Sequence, residues 1–177
     1  MTEGCKIPWT LLRPAAVYGP RDLDFLSTFR AAKRHVIPVI GGGTKRFSLI
    51  YVRDVAEAVC ACLGRAEALG QVYHLAAEPP CTSVELFGEI KTQLDVRAIR
   101  LPIPAAFLHL LCITHELASR ITGRPNILSG DKWAELRAPG WECAVQAIRE
   151  DIGFTASTPL PEGIRQTIAW YRQEGRL

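Results

Sequence analysis

The sequence predicts an α/β fold. Short apolar β-type segments alternate with stretches of helical periodicity, two of the predicted helices begin on capping-box spacing, and neither a fixed-period repeat nor a long linker divides the chain. A length of 177 residues with 48% hydrophobic and 22% charged residues suits one domain and excludes a disordered polypeptide. The 14 glycines and 12 prolines are too few for a low-complexity chain.

Residues 9–13 read as a strand stopped by Pro14, followed by a turn over Val17-Tyr18-Gly19-Pro20-Arg21-Asp22 and a helix over about 23–34. Residues 36–40 form a second strand, which Pro38 confines to a sheet edge. Gly41-Gly42-Gly43 makes a sharp turn needing positive φ, or lets backbone approach a ligand while Lys45 and Arg46 meet an anion. Residues 47–52 are extended. Asp54 then opens a helix to about Gly64, capped through Asp54-x-x-Glu57, with Val55, Ala58, Val59, Cys62 and Leu63 on one face. Residues 71–76 are a strand, and Thr82-x-x-Glu85 is a full capping box for a helix to about Leu94. A strand over 96–101 and helices over about 105–122, 131–136, 143–151 and 162–174 complete the reading.

Several function classes drop out. The net charge of +3 comes from basic residues interleaved with nearly as many acids, so no nucleic-acid partner is expected. Residues 1–6 carry no apolar signal core, and the most apolar run, 101–113, falls short of the roughly 20 residues a membrane span needs. It reads as a core helix, and a cytoplasmic location with no transmembrane segment follows. Cys5, Cys60, Cys62, Cys81, Cys112 and Cys143 show no C-x-x-C pair and no zinc-finger histidine spacing, so buried free thiols and no metal are expected. His115-Glu116 begins like a zinc-protease motif, but Ser119 stands where the second histidine belongs. No phosphate-binding G-x-x-x-x-G-K-[ST] loop, no G-x-S-x-G elbow and no G-x-G-x-x-G fingerprint occurs.

Four collinear segments carry a resemblance. Leu12-Arg13-Pro14-Ala15-Ala16-Val17-Tyr18-Gly19-Pro20-Arg21-Asp22 resembles a signature of the extended short-chain dehydrogenases/reductases, the NAD-dependent epimerase/dehydratase family. Gly42-Gly43, Arg46-Phe47-Ser48 and Val52-x-Asp54-Val55-Ala56-x-Ala58 follow at the family's spacing. Gly70 through Ala76 is similar to the strand returning to that family's nucleotide-binding sheet, and Asp151-Ile152-Gly153-Phe154 with Leu160-x-Glu162-Gly163-Ile164 resembles its tail. The Leu101-Pro102-x-Pro104 segment and Thr122-Gly123-Arg124-Pro125 most resemble the 3β-hydroxysteroid dehydrogenase-like branch.

The resemblance implies the C-terminal remnant of a doubly wound, Rossmann-like parallel sheet plus a small, mostly helical substrate domain. Residues 1–177 would be a single partial domain: 9–17 and 70–77 supply strands of the nucleotide-binding sheet, and 18–69 with 78–177 supply mixed helical and substrate segments. The family's Gly-rich turn and its Tyr-x-x-x-Lys pair do not occur in these 177 residues: Asp22, Val55, Ala77 and Gly175 stand four positions after the four tyrosines. No catalytic residue is therefore assigned, and the chain is expected to be inactive alone.

By the same resemblance, Pro14 and Val17 would contact NAD or NADP in an intact enzyme, with no cofactor for this chain alone. Arg21, Asp22, Phe25 and Arg46 would line the substrate. Ala16 replaces the asparagine that sugar-nucleotide epimerases place near the substrate diphosphate, which argues for an apolar small molecule oxidised or reduced at a hydroxyl or keto group. Asp54 and Tyr18-Gly19-Pro20 read as local structure. The expected partner is the missing N-terminal half or a second copy, joined through the open sheet edge. The alternative is a degenerate, non-catalytic family member acting as a protein-interaction module.

Overall fold

The structure, a computed structural model, describes residues 7–40, 43–103 and 140–177. Among the described residues nine strands run in chain order: β1 (Leu11–Pro14), β2 (Ala16–Tyr18), β3 (Val36–Ile40), β4 (Arg46–Phe47), β5 (Leu49–Tyr51), β6 (Val72–Leu75), β7 (Cys81–Thr82), β8 (Ile99–Ile103) and β9 (Gly140–Trp141). The helices are α1 (Leu26–Lys33), α2 (Val52–Cys62), α3 (Ser83–Leu94), α4 (Gln146–Ile152) and α5 (Leu160–Gln173), with a 3₁₀ turn at Ala66–Ala68.

The two segments expected side by side do pair. β1 and β6 run parallel with Leu11 opposite Val72 and Pro14 opposite Leu75. β2 and β5 form a second parallel pair, β3 and β8 a third, and β4 lies between β7 and β9. The amide of Ala15 donates to Leu75 at 2.8 Å and that of Ala77 to Leu49 at 2.7 Å, stitching the first two pairs together at the carboxyl ends of β1 and β6.

β5 divides the interior. Leu49 and Tyr51 point into one core with Tyr18, Phe29, Leu86, Ile90, Ile164 and Tyr171. Ile50 points the other way, into a second core with Ala58, Cys62, Tyr73, Leu75, Ile148 and Ile152. This is strand alternation with both faces covered, which is why Leu49-Ile50-Tyr51 is buried throughout.

Thr82 closes the expected capping box: its hydroxyl accepts from the Glu85 amide at 3.2 Å while Glu85 accepts from the Thr82 amide at 2.7 Å. Replacing Thr82 with alanine is expected to lower stability by about 1 kcal/mol in urea unfolding, because one amide of the first turn loses its acceptor. α5 starts at Leu160, two residues before its expected start, with Pro161 inside its first turn, where proline's missing amide costs nothing. α1 starts three residues late because Asp22 holds the preceding turn: its Oδ1 accepts from the Asp24 amide and its Oδ2 from the Phe25 amide. α4 starts at Gln146, three residues after the expected position. The strand expected over 96–101 runs over Ile99–Ile103, since left-handed Asp95 (φ 55°) ends α3 first.

Three expectations are corrected. Asp54 does not cap α2: Tyr51 is the N-cap, without a side-chain bond, and Asp54 lies inside the helix. The buried face of α2 is Asp54, Ala58 and Cys62, while Val59 and Leu63 face outward. Among the described cysteines Cys62 is buried but Cys60 is exposed, as two residues' spacing on a helix requires. Gly43 keeps its expected positive φ (72°), and a Cβ there would come 2.7 Å from Val84. The helices expected over 105–122 and 131–136, with Gly41 and Gly42, lie outside the described residues.

All four tyrosines have phenols pushed above the ordinary 10.0, chiefly by burial, Tyr73 to about 12 with help from its bond to Asp151. A phenol that ionises more readily unfolded than folded contributes stability that is full below pH 10 and is lost as pH rises beyond it. Phenolate absorbance is therefore expected to rise in one step above about pH 10, together with loss of circular dichroism, rather than as separate titrations.

Candidate functional site

The carboxyl ends of β1 and β6 open on the side where parallel sheets bind ligands. Pro14 ends β1, exposed and without an amide to pair, and Val17 packs partly into the second core. The chain then turns sharply. Arg21 takes a left-handed φ of 73°, uncommon for a side chain of its size, and stays exposed. Asp22 spends its carboxylate on the turn, and its carbonyl accepts from the Tyr171 hydroxyl at 2.9 Å. Phe25 lies edge-on to Tyr18, with ring centroids 6.4 Å apart.

Arg46, on β4, stands elsewhere. Its Nε lies 3.3 Å from Glu142 and its Nη2 donates to the Pro80 carbonyl at 3.2 Å. Among the described residues no hydrogen bond or ion pair joins it to the 21–25 turn. The six residues thus form two groups, one at the end of β1 and the following turn, one beside the 77–81 segment.

Between the segments 77–81 and 156–160 lies a cavity of about 440 Å³, its walls including Pro79, Cys81, Glu85, Thr158 and Leu160. The Glu78–Pro79 peptide is cis, and Glu78 pairs with Arg149. Burial pushes the Cys81 thiol up to about 11, so it is neutral at pH 7.

Asp54 lies behind the 156–160 wall and holds it in place. Its carboxylate is fully buried, and Oδ1 accepts from the Thr158 hydroxyl at 2.9 Å and the Ser157 amide at 3.4 Å, while Oδ2 accepts from the Thr158 amide at 3.3 Å. The acid sits in the first turn of α2 and bonds the residues just ahead of α5. A carboxylate in register with Ala58 and Cys62, at i, i+4 and i+8, is the signal in the sequence that marks it as inward-facing.

Tyr18 also escaped the functional reading. Its ring packs between Phe25 and Tyr51 and against Gly163, where a Cβ would come within 2.9 Å of ring atoms. Gly163→Ala is expected to destabilise by about 2 kcal/mol, overpacking outweighing the gain of about 1 kcal/mol in helix propensity, as read by thermal melting.

The described residues hold no Gly-rich βα turn to cradle a pyrophosphate. No His/Cys/Asp/Glu cluster suited to a metal occurs among the described residues. No described helix is long and apolar enough to cross a membrane.

Comparison with known proteins accords with this geometry. The sequence profile of the NAD-dependent epimerase/dehydratase family matches residues 1–76. The chain is 29% identical over 178 aligned positions to a ceramide reductase of Caulobacter vibrioides, covering 94% of this chain and 52% of the reductase. It is 27% identical to a 3β-hydroxysteroid-dehydrogenase/decarboxylase of Arabidopsis thaliana, covering 89% of this chain and 30% of that protein. The fold matches UDP-glucuronic acid 4-epimerase from Bacillus cereus, solved with UDP-glucuronic acid and NAD, at a TM-score of 0.70 and 14% identity, over 98% of this chain and 48% of the epimerase. The chain spans about half the length of the ceramide reductase, or less for the Arabidopsis relative. In its signature segments and its profile match over residues 1–76 the chain is similar to the NAD-dependent epimerase/dehydratase family, the extended short-chain dehydrogenases/reductases, and its fold is that of Rossmann-type neighbours.

Proposed function

We propose that this chain is the substrate-binding portion of an NAD(P)-dependent oxidoreductase or epimerase acting on a hydroxyl or keto group of an apolar small molecule. The observation that carries the reading is the parallel β1–β6 pair ending at Pro14, with the family's signature turn at its carboxyl end. Pro14 and Val17 are the proposed nicotinamide contacts, and Arg21, Asp22, Phe25 and Arg46 the proposed substrate contacts. The apolar substrate rests on Ala16 and on the relative named as acting on ceramide. NAD and NADP stay equal candidates, since the ribose-reading acid belongs to the Gly-rich half of such folds. A cytoplasmic setting goes with this reading.

Hydride transfer needs a proton partner, which the family draws from Tyr-x-x-x-Lys, so this polypeptide is proposed to be inactive until that pair is supplied. The edge of β1 that pairs with no strand among the described residues is the proposed junction with the complementary half or a second copy. Differential scanning fluorimetry with millimolar NAD or NADP tests the division of labour. The expected result is no stabilisation of this chain alone; a shift of several degrees would show that a complete nucleotide site is already present.

A further inference from the structure

β3 and β8 form a parallel pair with Val36 opposite Ile99 and Pro38 opposite Leu101. One face of the pair turns to α3, where Ile37, Val39 and Arg100 share a recess with Val84, Phe87 and Lys91. Strand alternation sends Val36, Ile99 and Leu101 to the other face, where they are 38%, 76% and 53% exposed. Three aliphatic side chains left open side by side on one small sheet mark an interaction surface.

The approach to both strands is basic. Lys33 and Arg34 close α1 and lead into β3, and Arg97 precedes β8. Left-handed His35 (φ 64°) holds the two approaches together: its Nδ1 donates to the Arg97 carbonyl at 2.6 Å, and its own carbonyl accepts from the Ile99 amide at 2.9 Å. Lys33, Arg34 and Arg97 are thereby gathered at the end of the sheet that carries Val36 and Ile99. All three are exposed, and no carboxylate among the described residues pairs with them. Asp95 is the one acid adjoining segments 33–40 and 96–103, which themselves contain none.

An apolar patch with a cationic rim complements a surface that is anionic outside and hydrocarbon beneath. A second copy fits poorly, since a two-fold contact would set Arg34 and Arg97 against their own equivalents. Single-stranded nucleic acid fits poorly too, because neither segment holds a Phe, Tyr or Trp on which bases stack.

We propose that the open face of the β3–β8 pair docks on an anionic lipid surface, with Val36, Ile99 and Leu101 entering the headgroup region and Lys33, Arg34 and Arg97 meeting lipid phosphates. The contact is peripheral and needs no spanning helix. It stands independently of the oxidoreductase reading, because it uses none of the six residues assigned above.

Co-sedimentation of the full chain with lipid vesicles tests it. Phosphatidylcholine vesicles with about one-third phosphatidylserine are expected to retain the chain at low salt and to release most of it at roughly 0.5 M salt. Phosphatidylcholine alone should retain about tenfold less. Arg34→Gln combined with Arg97→Gln is expected to weaken retention about twentyfold, and Ile99→Ser combined with Leu101→Ser about tenfold. Both pairs alter exposed side chains, so the variants should melt close to the unaltered chain, and each tests the patch without the other. Arg53→Gln with Arg65→Gln, two exposed arginines outside the patch, should change retention by no more than about twofold. Equal retention on uncharged vesicles, unchanged retention in either patch variant, an equal loss in the Arg53 and Arg65 pair, or stronger capture by a single-stranded oligonucleotide than by the anionic vesicles would overturn the proposal. None of these results bears on the nucleotide experiment above.

Discussion

Tyr171→Ala is expected to cost about 4 kcal/mol of stability, the largest single loss in the chain. The side chain is fully buried on α5, its ring edge-on to Phe29 with centroids 5.1 Å apart and tilted against Trp170 at 5.6 Å. Truncation removes an aromatic ring where α1, α3 and α5 meet, and close packing leaves the surroundings little room to collapse into the gap. The hydroxyl adds a local role, since it donates to the Asp22 carbonyl and so pins the turn that presents Arg21. Tyr171→Phe separates the two contributions. It should lose about 1 kcal/mol in urea unfolding while loosening amides 21–25 to hydrogen exchange, leaving the helical core protected.

Asp54→Ala is expected to lose about 3 kcal/mol. The change removes the acceptor for three donors at Ser157 and Thr158, and donors left buried without partners carry their full desolvation cost. Asp54→Asn retains one acceptor oxygen and should lose about half as much. Both variants should perturb residues 156–160 first, because the carboxylate holds that segment against the start of α2. Urea midpoints at fixed protein concentration check the magnitudes, the fixed concentration being needed because self-association would feed into apparent stability.

Much of the fold was legible because local chemistry and tertiary packing agree. The Thr82–Glu85 box makes α3 independent of its surroundings, and its expected end at Leu94 is where the helix stops. Residues 9–13 and 71–76 read as strands from apolar content and bounding Gly and Pro, and they pair as the family resemblance implies. Asp54 was misread because Asp-x-x-Glu spacing describes both a cap and an inward-facing acid; the choice depends on Ser157 and Thr158, a hundred residues away. Short pairings such as β4 between β7 and β9 were invisible for the same reason: two-residue strands have no periodicity to read. The cavity escaped because its walls are prolines and loop residues whose approach is set entirely by tertiary contacts.

The proposed division of labour is tested most directly by turnover. The purified chain, incubated with NAD or NADP and a panel of apolar secondary alcohols and ketones, is predicted to change nicotinamide absorbance no faster than buffer. Sustained, saturable turnover by this polypeptide alone would contradict the account, for it would mean that a proton donor and a nucleotide seat lie within these 177 residues.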